Sequence, residues 1–342
     1  MKRTLEALVA SLTLFSTACV TNSSSLTAYA PAGTTTQTPD GKYDSVDDLV
    51  NPEETQKLPD FSYMVISESK YKNPKGEIET FHSLGTANIT KDIGNRTYLD
   101  TANHVVQNEK VMYDWFGRKY ELLSEKFYLL EDDQVDRLHN LLRKLSVNSV
   151  EGRFYVDQME DQSGNRRETL NYIIRTSAEM GASLKIIKPK KIKTVAQNGD
   201  KDLAIISVPK LEHPPLNYSI GNAEELQRQN IVYVVGWPLG LVENLTQGHI
   251  TSVNDARLVR EDVETAFLFD AQISPGNSGG SIYAVRDGKL ERVGITSAMY
   301  VGGNSMFIGV KINGISDVFK GDTIRCDKGW KCNLSSPHEL KL

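Results

Sequence analysis

Along this chain apolar and polar residues alternate in short runs, first at Ser62–Ser67, Glu79–Thr90 and Asn95–Thr101, with Lys-Asn-Pro-Lys-Gly and Asp-Ile-Gly-Asn as breaks. Such runs, separated by turn residues, predict antiparallel strands with one face buried. The texture returns after residue 200, at Leu203–Val208, Asn230–Trp237, Gln247–Val253, Thr265–Gln272, Ser281–Val285, Arg292–Ala298 and Ser305–Ile312. Between these two β-rich blocks, residues 107–190 change period. Val135, Leu138, Leu142 and Leu145 recur every three or four residues, with Asp132 and Asp133 leading and Arg143 and Lys144 closing. That predicts a helix whose charges complement its dipole. Glu168–Met180 reads as a second helical run, and the lysines at 185, 188, 190, 191 and 193 as a charged strand and loop guarding an edge. The stretch is an insertion, either a packed structural element or a lid.

Outside the β-rich blocks the pattern fades. Residues 20–60 are rich in Ser, Thr, Pro, Asp and Gly and read as a flexible linker, with folding beginning near Phe61. Residues 1–19 read as an export signal: Lys2 and Arg3, an apolar region from Leu8 to Phe15, then Thr17-Ala18-Cys19. The apolar region is too short to span a bilayer stably. Small residues before a cysteine resemble the bacterial lipobox, in which Cys19 is lipidated and becomes the new N-terminus. Glu6 and Ser16 depart from that pattern, and plain secretion with cleavage near Ala30 is the other reading. Either way the chain is exported, as a lipid-anchored protein of the bacterial cell envelope or as a secreted one.

Composition adds bounds. The 342 residues suggest about two domains, and 39% hydrophobic with 24% charged residues describes a globular protein. A formal charge of -5 argues against nucleic acid as a partner. Of three cysteines, Cys326 and Cys332 remain as a pair able to close a small disulfide loop in the tail, residues 321–342. Two cysteines with no further Cys/His pair nearby do not make a metal site, and no metal or other cofactor is expected.

One octapeptide stands out, Ser274-Pro275-Gly276-Asn277-Ser278-Gly279-Gly280-Ser281. A serine on a glycine-rich turn presents its hydroxyl without bulk, and the N–H groups of Gly276 and Ser278 can converge on a developing oxyanion. The same composition is also that of ordinary loops. A serine nucleophile needs a base, usually histidine, and the base needs an orienting carboxylate. Among the six histidines, His104 in Thr101-Ala102-Asn103-His104-Val105-Val106 stands where a predicted strand ends. Asp202 directly leads the apolar run Leu203-Ala204-Ile205-Ile206, which would draw its carboxylate into the core beside an imidazole. Asp200 and Asp270 are its rivals.

Thr-Ala-Asn-His-Val, Asp-Leu-Ala and Gly-Asn-Ser-Gly-Gly, in that order, resemble the trypsin/chymotrypsin-like serine proteases, and within them the HtrA/Deg-type bacterial branch. The resemblance extends to Val235–Gly240, Gln247–Ile250, Asp270–Gly280 and Ser305–Ile312, covering residues 61–106 and 200–318. It implies an all-β fold of two antiparallel β-barrels, at 61–210 with a partly helical insertion (107–190) and at 211–320, the triad lying between them. It implies a serine endopeptidase acting on protein or peptide substrates, with Ser278 as nucleophile, His104 as base, Asp202 as its orienter and an acyl-enzyme intermediate. Gly276 and Ser278 would form the oxyanion hole, and the Gly294–Ala298 segment, with Thr296 and Ala298, would line the specificity pocket. Gln272 stands where trypsin-type enzymes keep an acid, which argues against a preference for Lys or Arg. Only 64 residues (342 − 278) follow Ser278, which leaves no room for the PDZ domain of HtrA proteins. The alternative is a catalytically inactive, protease-like binding protein with a distorted site. An α/β-hydrolase esterase would want the order Ser, Asp, His, which this chain lacks.

Overall fold

The computed structural model describes residues 39–45, 52–113, 117–145, 152–160, 166–174, 178–216, 218–240, 243–253, 266–299, 306–320, 323–324 and 329–333. The leader with Cys19, residues 20–38 and Cys326 lie outside them.

Two sheets carry the molecule, antiparallel but for the short strand Ser219–Ile220, which pairs parallel with Glu291 and Arg292. The first takes β1 (Ser62–Lys72), β2 (Ile78–Ile93), β3 (Arg96–Ala102), β4 (Val111–Tyr113), β5 (Lys119–Leu130), β6 (Gly152–Glu160), β7 (Arg166–Ile174), β8 (Lys190–Lys191), β9 (Lys193–Asn198) and β10 (Leu203–Pro209). Its order is β9-β10-β3-β2-β1-β5-β4, and it curls into a half-barrel. The second takes β11 (Ser219–Ile220), β12 (Ile231–Gly236), β13 (Asn244–Ser252), β14 (Ala266–Phe269), β15 (Ser281–Arg286), β16 (Lys289–Met299) and β17 (Phe307–Lys311). Here β16-β15-β12-β13-β14-β17 run in sequence and β17 pairs back on β16, closing a six-stranded barrel.

Strand β12 shows why the barrel forms. All six of its residues are buried, yet Val232 and Val234 enter the barrel core with Phe267 and Phe269, while Ile231, Tyr233 and Val235 pack outside it with Leu58 and Tyr283. A period of two on a strand sends alternate residues to opposite faces, and both faces are covered. The sheets meet through apolar residues and one buried ion pair. Arg292 of β16 and Asp100 of β3, both 0% exposed, stand 2.5 Å apart.

Four expectations change. Residues 119–130 are not insertion: β5 pairs along β1 from Met64↔Leu130 to Lys72↔Glu121, as an integral strand of the first sheet. Glu168–Ile174 is strand rather than helix, paired with β6, and a helix occupies Ala178–Ile187 instead. The β-branched and aromatic residues Thr169, Tyr172, Ile173 and Ile174 suit a strand, and the pairing partner is what the local pattern could not reveal. The lysines divide accordingly: Lys185 closes this helix, while Lys190 and Lys193 begin short strands. Finally, folded structure starts before Phe61. Tyr43 is buried beneath the Arg286 guanidinium, 4.1 Å from its ring, and the N–H groups of Asp40 and Gly41 donate to Asp287. In the tail, Lys331–Cys332 adds a strand to β9.

Candidate active site

Strand β3 ends at Ala102, and the short 3-10 turn Asn103–Val105 carries His104 out of the sheet with its side chain 40% exposed. Strand β10 begins next to it, Leu203 facing Ala102, so Asp202 arrives beside His104 by register alone. Asp202 is 3% exposed and sits at φ +50, a conformation costly for most L residues but tolerated by aspartate. Its carboxylate is held from three directions. The His104 backbone N–H donates to Oδ1 at 3.0 Å, His104 Nδ1 lies 2.9 Å from Oδ2, and Ser297 Oγ donates to Oδ2 at 2.6 Å. An ionised carboxylate only accepts, so Nδ1 carries the proton, the tautomer that in a neutral imidazole leaves the lone pair on Nε2.

Ser297 belongs to β16, in the other sheet. Its backbone carbonyl also accepts from Ser278 Oγ at 3.5 Å. One residue thus touches the carboxylate through its hydroxyl and the serine through its carbonyl.

The turn around Ser278 is fixed on every side except one. Gly276 and Gly279 take φ +101 and +85, which a side chain would resist. A Cβ on Gly279 would strike the Thr86 carbonyl and the Thr101 hydroxyl. Gly279 N–H donates to Thr296 O at 2.7 Å and Gly280 N–H to Asn277 O at 2.7 Å. Thr86, 0% exposed on β2, holds both flanks: its hydroxyl donates to Gly276 O at 2.9 Å and its N–H to Ser278 O at 2.8 Å. The N–H groups of Gly276 and Ser278 donate to no protein acceptor among the described residues. Two uncommitted donors beside a serine, in a turn whose other N–H groups are engaged, suit a developing negative charge.

Comparison with known proteins follows the same lines. Residues 151–295 match the family model of the trypsin-like peptidase domain, a span that includes Asp202 and Ser278 and begins beyond His104. A probable periplasmic serine endoprotease, DegP-like, of Halomonas elongata is 29% identical over 179 residues, 50% of this chain and 36% of the relative. The periplasmic pH-dependent serine endoprotease DegQ of Escherichia coli is 26% identical over 147 residues, 42% of this chain and 31% of the relative. Over these residues the chain is similar to trypsin-like serine proteases of the HtrA/Deg kind. It spans about a third of the length of these two relatives. Among solved structures, the HtrA-type protease AlgW with a decapeptide is similar at 16% identity and TM-score 0.45, over 76% of this chain and 63% of that one.

The residues read from sequence fall into two groups. His104 and Asp202 stand together, and Ser278 joins them through Ser297. Of the rival acids, Asp270 accepts the backbone N–H of His249 at 2.6 Å. Gln272 is exposed and lines a cleft of about 520 Å³ with Thr246, Gln247, Gly248, His249 and Asp270. Thr296 is 0% exposed and its hydroxyl donates to Asn277 O, which makes it a strut of the serine turn. Ala298 is half-buried and packs against Ala266 and Ile308. Thr86 escaped the sequence reading and Ser297 entered it only within the Gly294–Ala298 segment, because a lone Thr or Ser in a strand carries no local signal and both act across the seam between the sheets.

Proposed function

We propose that the chain is an exported serine endopeptidase that hydrolyses peptide bonds through His104, Asp202 and Ser278. The observation that carries the proposal is the His104–Asp202 pair at 2.9 Å joined to Ser278 by Ser297 across the seam. Free imidazole Nε2 takes the proton of Ser278 Oγ as that oxygen attacks the peptide carbonyl. Asp202 holds the ring in the required tautomer and stabilises the imidazolium that forms. The tetrahedral oxyanion is met by the N–H groups of Gly276 and Ser278. His104 then returns its proton to the departing amine, and water, activated by the same imidazole, hydrolyses the acyl-enzyme. Every step uses the chain's own groups.

Three finer points belong to the same reading. The substrate is a protein or peptide, with the exposed, uncharged Gln272 standing against selection of a Lys or Arg side chain. The chain works in the periplasm, held to the envelope by lipid on Cys19, which the similarity to periplasmic endoproteases and the leader pattern support. Cys326 pairs with Cys332; Cys332 carries a disulfide, and Cys326 is the one other cysteine outside the leader.

The test is labelling by a fluorophosphonate, which phosphonylates an activated serine. The wild-type chain takes up the probe and Ser278→Ala does not. Absence of Ser278-dependent labelling in the folded wild type defeats the peptidase reading and leaves a protease-like binding protein.

A further inference from the structure

The insertion helices Asp132–Leu145 and Ala178–Ile187 do not stop at the first sheet. Val135, Leu138, Met180, Leu184 and Ile187 form one apolar cluster with Met64, Ile66 and Leu130 of β1 and β5, and its last member is Trp237, 4% exposed. Trp237 opens the turn Trp237–Gly240 that follows β12 in the other sheet. This turn is closed by Gly240 N–H donating to Trp237 O at 3.0 Å, with Gly240 at φ +62. The first helix grips the far end of the turn as well. His139 Nε2 lies 2.6 Å from Gly240 O, and because a carbonyl only accepts, Nε2 carries the proton.

The near end of the turn reaches the serine. Trp237 N–H donates to Thr86 Oγ1 at 3.0 Å, which commits that hydroxyl's proton to Gly276 O at 2.9 Å. Thr86 N–H holds Ser278 O. The two residues whose N–H groups would meet the oxyanion are therefore anchored on Thr86, and Thr86 is oriented by a turn that His139 and the helix cluster hold in place. Chained hydrogen bonds of this kind polarise and fix one another. Gly236, just before the turn, leaves no room for drift, since a Cβ there would stand 2.8 Å from Asn277 Oδ1.

We infer that the insertion serves as a built-in brace for the oxyanion turn, with His139 as a positioning residue acting through Gly240, Trp237 and Thr86. The inference rests on the serine peptidase reading above. His139 touches no reacting atom, so its loss weakens stabilisation of the transition state while substrate affinity stays. Removing an oxyanion donor outright costs about 10²–10³ in kcat, and loosening its support is expected to cost on the order of tenfold.

The experiment compares His139→Leu, which removes the donor but keeps apolar bulk, with His139→Gln, which restores an N–H donor. The readouts are kcat and KM on a peptide substrate, together with the melting temperature. The expected result is a kcat about tenfold lower in His139→Leu at a KM within about twofold, recovered for the most part in His139→Gln. A folded His139→Leu enzyme with kcat within about twofold of wild type overturns the inference, as does an equal loss in both variants. Where His139→Leu does not fold, Val135→Ala loosens the same helix on Trp237 without touching a hydrogen bond. A lower kcat at unchanged KM supports the brace, and a lower melting temperature with unchanged kcat overturns it. A wild-type chain without Ser278-dependent labelling defeats the peptidase reading itself; an active wild type with an indifferent His139 defeats only the brace.

Discussion

Ser297 is the residue on which the candidate site turns. Its hydroxyl at 2.6 Å from Asp202 is a hydrogen bond to a buried charged group, the kind worth about 1.5–3 kcal/mol. Ser297→Ala removes that bond while the backbone carbonyl facing Ser278 stays. The expected outcome is a kcat/KM lower on the order of tenfold, with the fold intact by circular dichroism. Unchanged kinetics would mean that the two contacts from His104 alone hold the carboxylate. The sequence made His104, Asp202 and Ser278 legible because each sits in a local context that its neighbours define: a strand end, a strand start, a glycine turn. Ser297 and Thr86 have no such context. Each is a small polar residue on a buried strand, and what makes it matter is a partner roughly a hundred or more positions away in the chain.

At the scale of elements, the seam between the insertion helix and the turn before β13 carries an unusual charge balance. Glu243 is largely buried, and burial together with Asp132 and Asp60 pushes its carboxyl from 4.5 up to about 8. Asp132, at the start of the helix, is raised by burial and by the nearby carboxylates of Asp60, Asp136, Asp133 and Glu131. A carboxyl that holds its proton more tightly in the folded state adds stability that is whole below about pH 4.5 and lost as the pH climbs through about 8. The melting temperature of the wild type is therefore expected to fall between about pH 5 and about pH 9, and Glu243→Gln, a permanently neutral isostere, to flatten that fall. A fall of equal size in both chains, followed by differential scanning fluorimetry, would remove Glu243 as its source. The periodicity of Val135, Leu138, Leu142 and Leu145 did announce this helix, whereas its partner was misread. Around residue 170 the β-branched and aromatic residues suit a strand, and the pairing of β7 with β6 and β2, which no local pattern shows, fixes it.

For the molecule as a whole, the join between the two sheets brings the proposed triad residues together, and Arg292–Asp100 lies within that join with Thr90 Oγ1 also donating to Asp100 at 3.1 Å. Arg292→Met alone strands a buried carboxylate and is expected to cost roughly 3–5 kcal/mol in urea unfolding, while Arg292→Met with Asp100→Leu is expected to lie near wild type or above it. A single variant within about 1 kcal/mol of wild type would show that water reaches Asp100. By itself the sequence determined the elements with strong periodicity and the three residues whose chemistry is written into their immediate neighbours, because strand alternation and turn composition are local properties of the chain. Only the tertiary structure decided that the first sheet stays an open half-barrel while the second closes, that Asp40–Asp44 dock on the second sheet, and that Thr86 and Ser297 meet at one serine turn while His139 holds Gly240. Those facts depend on contacts between segments far apart in sequence, which no local pattern encodes.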